Sequence, residues 1–297
     1  MTTTIELASY RAVLSKRART FRLAALALPA DARDDAAVLY AFCRAADDAA
    51  DDAADPEVGR RDLDDLERGL EGSGPAVATA VARLHRERGV SLDAARELIA
   101  GVRSDIGVVR IADDAALLSY AYLVAGTVGV MMCPLLGVHD PAAQRYAADL
   151  GRAMQITNIC RDVAEDAARG RVYLPAARLE AAGLSTASIL DGSADRSALR
   201  AVLTALLARA DLLYASGDRG FSFLPARARL AVILASRLYR AIGLELLRGG
   251  GDPFRGRAFV PAWRKLLWSL AAFAVWLCTF WPRRDGRAVA PARSRLG

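Results

Sequence analysis

Two helical segments of this chain carry aspartates where a buried helix would ordinarily carry leucines, and that feature limits what the chain can fold into. Residues 155–169 read Gln-Ile-Thr-Asn-Ile-Cys-Arg-Asp-Val-Ala-Glu-Asp-Ala-Ala-Arg. At about 100° per residue, Gln155, Asn158, Asp162 and Asp166 fall on one stripe about 80° wide. Spacings of three and four usually mark the apolar seam of a packed helix. Here the seam is polar, and Ile156, Ile159, Cys160 and Val163 fill its flank. Such a helix is expected to be buried on one side and to face a polar cavity on the other. Residues 40–52 repeat the pattern: Tyr40, Arg44, Asp47 and Asp51 share a stripe about 60° wide, with Asp48, Asp52 and Asp55 crowding beside it. Like charges at i,i+4 cost about 0.2–0.5 kcal/mol per pair, and aspartate is a weak helix former. A helix gathers five aspartates only if water or a cation offsets them.

Taken singly, each segment could be a solvated face. Two of them, with the same Asp-xxx-Asp spacing inside apolar surroundings, point to a facing pair. Oxygen ligands without histidine or thiolate suit a hard cation such as magnesium, or manganese in its place. Magnesium commonly takes a few carboxylates together with substrate phosphates, so two facing helices could hold a diphosphate through bridging ions. The metal would neutralise the charge of the departing diphosphate.

The rest of the sequence fits an all-α chain. Of 297 residues, 54% are hydrophobic and 25% charged, which is a globular balance. Alanine, leucine, arginine and glutamate dominate and favour helix. Helices are expected over roughly 31–55, 57–72, 76–88, 91–107, 113–136, 141–168, 195–217, 222–248 and 258–281, broken by Pro and Gly. One helical domain over 1–282 is predicted, with 283–297 a disordered basic tail. The net charge of +6 suits nucleic acid, an anionic membrane or a phosphorylated substrate. The arginines are scattered rather than interleaved with aromatics, which argues against nucleic acid. Arginine outnumbers lysine because only Lys16 and Lys265 are lysines, a sign of codon bias. Four cysteines without a CxxC and two histidines build no zinc site and read as buried free thiols of a reducing cytoplasm. No apolar signal core opens the chain, and no glycine-rich dinucleotide fingerprint is present, so NADPH is not expected. Leu266 to Trp281 is apolar with basic flanks. It reads as a terminal core helix or as a peripheral membrane contact through 266–281, and it is short for a span.

Five ordered motifs, from about Lys16 to about Lys265, resemble the squalene/phytoene synthase family. They are Tyr40-Ala-Phe-Cys-Arg44-x-x-Asp47-Asp48-x-x-Asp51, then Tyr120-Ala-Tyr-Leu-Val-Ala-Gly126-Thr-Val-Gly129, then Gln155-x-x-Asn158-x-x-Arg161-Asp162-x-x-x-Asp166 with Arg169-Gly-Arg171-Val-Tyr173-Leu-Pro175 behind it, and Ser236-Arg-Leu-Tyr239-Arg and Arg257-Ala-Phe-Val ahead of Lys265. The resemblance implies a single-domain all-α isoprenoid-synthase fold with a central cavity. It implies that Asp47, Asp51, Asp162 and Asp166 are catalytic and, with Asn158, bind magnesium and diphosphate. Arg44, Gln155, Arg161, Tyr239, Arg257 and Lys265 would support the phosphates, and Tyr40 and Tyr120 would line the cavity. The 126–129 stretch would serve either close approach of a prenyl chain or close helix packing. Where the family often has a Ser-x-Ser-Phe-like segment, this chain reads Ala18-Arg19-Thr20-Phe21, and Thr20 keeps one substrate-binding hydroxyl.

The implied chemistry is head-to-head condensation of two prenyl diphosphates through a cyclopropylcarbinyl diphosphate. Gly126-Thr-Val-Gly-Val-Met-Met-Cys133 and the residues to Pro141 look most like bacterial phytoene synthases, which join two geranylgeranyl units in carotenoid biosynthesis. Condensation of farnesyl diphosphate to dehydrosqualene, squalene or presqualene diphosphate is the alternative. A non-catalytic membrane-associated assembly factor is the alternative of another class, and intact aspartate pairs argue against it. The expected location is cytoplasmic, at the inner face of the membrane.

Overall fold

The computed structural model describes residues 9–12, 28–51 and 55–280. Thr20, Trp281 and the 283–297 tail lie outside them. Every regular element among the described residues is helical. In chain order these are α1 (Ala30–Asp51), α2 (Pro56–Leu70), α3 (Ala76–Arg88), α4 (Leu92–Arg103) and α5 (Asp114–Ala121), which continues through a π-helical turn (Tyr122–Gly126) into α6 (Thr127–Leu135). Then follow α7 (Pro141–Ala168), α8 (Ala176–Ala181), α9 (Thr186–Leu190), α10 (Arg196–Arg219), α11 (Ala226–Arg248) and α12 (Ala262–Cys278).

The helix starts are written in short polar residues. Asp140 accepts the Ala142 N–H at 2.8 Å with Pro141 in the first turn, and Asp113 and Asp195 cap α5 and α10 in the same way. A side-chain oxygen there satisfies an amide that the helix leaves unpaired. Asp55 does this for α2. It therefore leaves the acidic face of α1, where the periodicity had placed it. The expected helix at 258–281 starts only at Ala262, behind Pro261. The short α8 and α9 were not anticipated.

α7 is the axis of the molecule. It packs against α10, α6, the π-turn and α11. One core cluster joins α7 to α10 through Ile156, Cys160, Leu203 and Leu206. A second joins α1 to α2, α3 and α4 through Phe42, Leu63, Leu84 and Ile99. The 114–135 stretch is long and apolar enough to cross a membrane, but it is wedged between α4 and α7. It touches α7 backbone to backbone. A Cβ at Gly129 would lie 2.3 Å from the Ala147 carbonyl oxygen, and one at Gly151 would lie 2.2 Å from that of Ala125. Close helix packing therefore accounts for Gly129. Cys133 and Cys160 are buried free thiols, whereas Cys278 is exposed.

Candidate active site

A cavity of about 550 Å³ runs between α1, α6, α7 and α11. Along α7 its wall extends from Ala143 to Arg161, about 27 Å at 1.5 Å per residue. One end is polar, with Tyr40, Arg44, Asp47, Gln155, Asn158, Arg161 and Tyr239. The other is apolar, closed by Leu28, Leu136, Val138, Tyr146, Phe221 and Leu224. A narrow apolar bore with a charged mouth suits an amphiphile whose head is ionic and whose tail is a long hydrocarbon.

The mouth is built by the two aspartate helices. At the end of α7, Gly170 takes a left-handed φ of 74°, and the Arg169 and Arg171 N–H groups bond back to the Asp166 carbonyl. This stop turns the chain across the mouth. Arg169 then reaches Asp51 at 3.1 Å, while Arg171 pairs with Asp51 and donates to the Ala50 carbonyl at 2.9 Å. The two aspartate motifs, more than 100 residues apart, are thereby joined. Asp162 is held by Arg161, whose Nε donates at 2.6 Å, and by Arg257 at 3.2 Å, which also pairs with Glu165 at 3.3 Å. Arg44 pairs with Asp48.

Asp47 and Asp166 are balanced less well. Asp47 has Arg44 only at 3.9 Å, and Asp166 makes no ion pair among the described residues. Desolvation, helped by neighbouring carboxylates, pushes both up to about 7. The Asp47 side chain is still 49% accessible through the mouth, so solvent tempers its shift, and the upward direction is what carries weight. Asn158 donates to Gln155 at 3.4 Å, and its Oδ1 is buried without a partner. An orphaned amide oxygen beside carboxylates short of positive charge is a donor set that fits a hard divalent cation. Among the described residues no three His, Cys, Asp or Glu side chains converge as a ready metal cluster.

Three placements differ from the sequence expectation. Tyr120 does not line the cavity. It is buried, stacks on Tyr173 at 5.1 Å, and its hydroxyl donates to Asp105 at 2.9 Å. Lys265 stands on α12, away from the cavity lining. Asp105 was not anticipated at all. It follows α4, is 9% exposed, and accepts a second bond from Tyr173 at 3.1 Å. Desolvation raises it to about 6 against the pull of both tyrosine bonds and Arg171. Tyr239 lines the mouth near Arg161 and Tyr40, and burial pushes its phenol up to about 12.

Comparison with known proteins agrees with this geometry. A phytoene synthase of Thermus thermophilus is 37% identical over 280 residues, covering 92% of this chain and 94% of that protein. A 15-cis-phytoene synthase of a Paracoccus species is 39% identical over 262 residues, covering 82% and 83%. Among solved structures, a dehydrosqualene synthase in complex with ligand superposes with a TM-score of 0.82 at 28% identity, over 92% of this chain and 97% of that one. A squalene synthase from Alicyclobacillus acidocaldarius gives 0.74 at 26% identity, over 85% and 98%. The sequence profile described as Squalene/phytoene synthase matches residues 14–264, and the chain is thus a prenyltransferase-type enzyme belonging to the squalene/phytoene synthase family.

Proposed function

We propose that this enzyme joins two geranylgeranyl diphosphates head to head to give phytoene, with release of diphosphate. The observation that carries the reading is the cavity itself, whose wall along α7 runs about 27 Å from an apolar end at Ala143 to a mouth lined by two aspartate helices. The relatives described above that are named phytoene synthases support the choice among products. Magnesium, held by Asp47 and Asp51 on α1 and by Asn158, Asp162 and Asp166 on α7, would supply Lewis-acid neutralisation of the departing diphosphate.

The chain's own residues account for the rest. Arg44, Arg161 and Arg257 carry planar forks that suit phosphate oxygens as well as the carboxylates they now hold. Gln155 and Tyr239 add neutral hydrogen-bonding groups at the mouth. Val128, Met132, Leu150 and Met154 wall the bore and keep water from the allylic cation formed when the first diphosphate leaves. Attack by the second substrate's double bond, followed by loss of a proton that closes the three-membered ring, gives the cyclopropylcarbinyl diphosphate. Its ionisation, rearrangement and proton loss give the triene without external reductant.

The test incubates purified protein and magnesium with geranylgeranyl or farnesyl diphosphate, with and without NADPH. A forty-carbon product from geranylgeranyl diphosphate without NADPH is expected. A thirty-carbon product alone would move the substrate to farnesyl diphosphate. Asp162→Ala should abolish turnover, and near-normal activity of that variant would count against its assignment to the metal.

A further inference from the structure

The cavity-facing residues of the π-turn and α6 are out of step for a continuous helix. At about 100° per residue, Gly129 and Cys133 would stand about 140° and 180° from Val124. The residues below Val124 would be Val128, Met131, Met132 and Leu135. The cavity wall instead holds Val124, Val128, Gly129, Met132 and Cys133, while Met131 and Leu135 are buried in the core shared with α1 to α4. The π-turn accounts for the difference. It takes in one residue more than an α-helical turn. That removes about 100° from the phase of everything after it and brings Gly129 and Cys133 to about 40° and 80° from Val124. Two long side chains, those of Met131 and Leu135, are thus exchanged for a glycine and a cysteine on the wall.

Two side chains hold the turn, and neither lines the cavity. The Thr127 N–H bonds to the Tyr122 carbonyl, five residues back. The Leu123 carbonyl, which that N–H would reach in an α-helix, accepts from the fully buried Thr127 hydroxyl at 2.6 Å. From the other side, the Tyr122 hydroxyl donates to Glu97 of α4 at 2.9 Å. The Tyr122 ring lies over Gly126, where a Cβ would come within 2.8 Å of its Cδ2. The Arg152 guanidinium sits on that ring, 4.8 Å from its centroid. Arg152 donates to Asp149 at 3.1 Å, and Asp149 accepts from Ser216 of α10 at 2.7 Å. The ring that closes the turn is therefore tied to α4, α7 and α10.

We infer, on the reading of this cavity as a prenyl-chain site, that Tyr122 and Thr127 are positioning residues for chain length. They keep the π-turn, and the π-turn keeps the bore wide enough for the longer prenyl chain. Both act through Gly129 and Cys133. In a continuous helix the Thr127 N–H returns to the Leu123 carbonyl, so the hydroxyl is needed only while the turn is present. Met131 and Leu135 then enter the wall and narrow the bore. The level of that narrowing decides which substrate suffers. Gly129 meets α7 at Ala147, about 16 Å along the helix from Asn158 at the mouth. The four extra backbone carbons of a geranylgeranyl chain, compared with farnesyl, are the part that must pass this level toward Phe221 and Leu224.

The test compares the parent with Thr127→Ser, Thr127→Val and the double variant Y122F/T127V, all with magnesium. Two ratios are read in each. One is turnover of geranylgeranyl over farnesyl diphosphate. The other is affinity, by calorimetry, for hexadecyl over dodecyl diphosphate, saturated chains that cannot ionise to an allylic cation. Both ratios should fall by about fivefold or more in the double variant, the factor set by a lost buried hydrogen bond. Thr127→Val alone, which keeps the side chain's shape, should move them in the same direction. Thr127→Ser keeps the hydroxyl and should leave them as in the parent. A lowered melting temperature with both ratios unchanged in Thr127→Val and the double variant would mark a merely structural role and overturn the inference. So would a Thr127→Ser protein that shifts as far as Thr127→Val. A parent that turns over farnesyl diphosphate alone, or neither substrate, corrects the proposed reaction instead, and the alkyl diphosphate ratio then decides the role of Tyr122 and Thr127 without turnover.

Discussion

Gly151→Ala separates two physical expectations of opposite sign. Gly151 sits inside α7, where alanine is the better helix former by about 0.8–1 kcal/mol. Propensity alone would therefore make the substitution stabilising. Space says otherwise. The new Cβ would lie 2.2 Å from the Ala125 carbonyl oxygen and 2.9 Å from the Gly126 Cα. Both are backbone atoms of the π-turn, so no side chain can swing aside. Relief to ordinary contact needs the π-turn and α7 to part by about 1 Å, and such overpacking costs about 1–3 kcal/mol. Taking about 3 for a backbone partner and about 1 returned by propensity leaves about 2 kcal/mol of destabilisation. At about 2–4 °C per kcal/mol for a chain of this size, the melting temperature should fall by about 4–8 °C. The control is Gly243→Ala in α11, whose Cβ meets only the tip of Leu207 at 2.8 Å. There the side chain can rotate, and the change should be neutral or slightly stabilising. Thermal melts of the two variants by circular dichroism decide the matter. A Gly151→Ala protein as stable as Gly243→Ala would refute the close-approach argument for the pair of helices that wall the cavity.

Three other outcomes are expected. The carboxyls of Asp47 and Asp166 lie near 7 in the folded chain and that of Asp105 near 6, all raised from about 3.8. The folded state then binds protons more tightly than the unfolded, so metal-free protein should lose stability as pH rises from about 4 through 7; melts across that window should show it, and added divalent ion should flatten the slope. Asp105→Asn keeps an acceptor for one tyrosine and turns an amide N–H to the hydroxyl oxygen of the other, but removes a negative charge that raises Asp47, so divalent-metal binding should persist to lower pH than in the parent, as calorimetric titration at several pH values would reveal. Tyr146→Trp should shorten the apolar end of the cavity, whose floor Tyr146 forms against Gly220, a glycine whose Cβ would meet the Tyr146 Cβ at 2.8 Å; paired substrate incubations should show turnover shifting from the twenty-carbon toward the fifteen-carbon diphosphate.

What could be read from the sequence was what repeats locally. The polar seam of α7 and the acidic face of α1 follow from a 3.6-residue period, and the helix breaks follow from Pro, Gly and capping aspartates. What could not be read depends on distant partners. Asp105 follows a helix as many surface aspartates do, and only Tyr120 and Tyr173, 15 and 68 residues away, make it a buried acceptor. Tyr120 was expected in the cavity on the family resemblance, and its motif does line the cavity, but further on, at Val124 to Gly129. The π-turn has no local signature. It lies where Gly101 of α4 meets the Leu123 side chain, at 2.6 Å from a would-be Cβ, and packing rather than propensity selects it. α12 was legible in composition but not in exposure. Its apolar residues read equally as core or as surface until α11 is seen to cover only one edge.

The charges at the mouth explain why the aspartate helices can face each other before any ligand arrives. Five carboxylates within two neighbouring helices would repel, yet Asp48, Asp51 and Asp162 are each held by arginine, and three of those arginines, Arg169, Arg171 and Arg257, come from beyond the motif they serve. Arg171 spans from the end of α7 to Asp51 and the Ala50 carbonyl, and Arg257 spans from the loop before α12 to Asp162. The carboxylates left without a close arginine, Asp47 and Asp166, are shifted upward by burial and by their carboxylate neighbours, so they take up a proton more readily than a free aspartate. The acidity of the resting mouth is thus offset by arginine and by readier proton binding. Both can be given up, since guanidinium groups move to phosphate oxygens with the same fork geometry and protons leave when a cation takes the oxygens. Lysine would meet the same oxygens as a compact point charge, without the planar fork that carries over to phosphate. The arginine-rich composition that first reads as codon bias is, at Arg161, Arg171 and Arg257, what allows two acidic helices to pack across a cavity and still exchange partners when an anionic substrate enters.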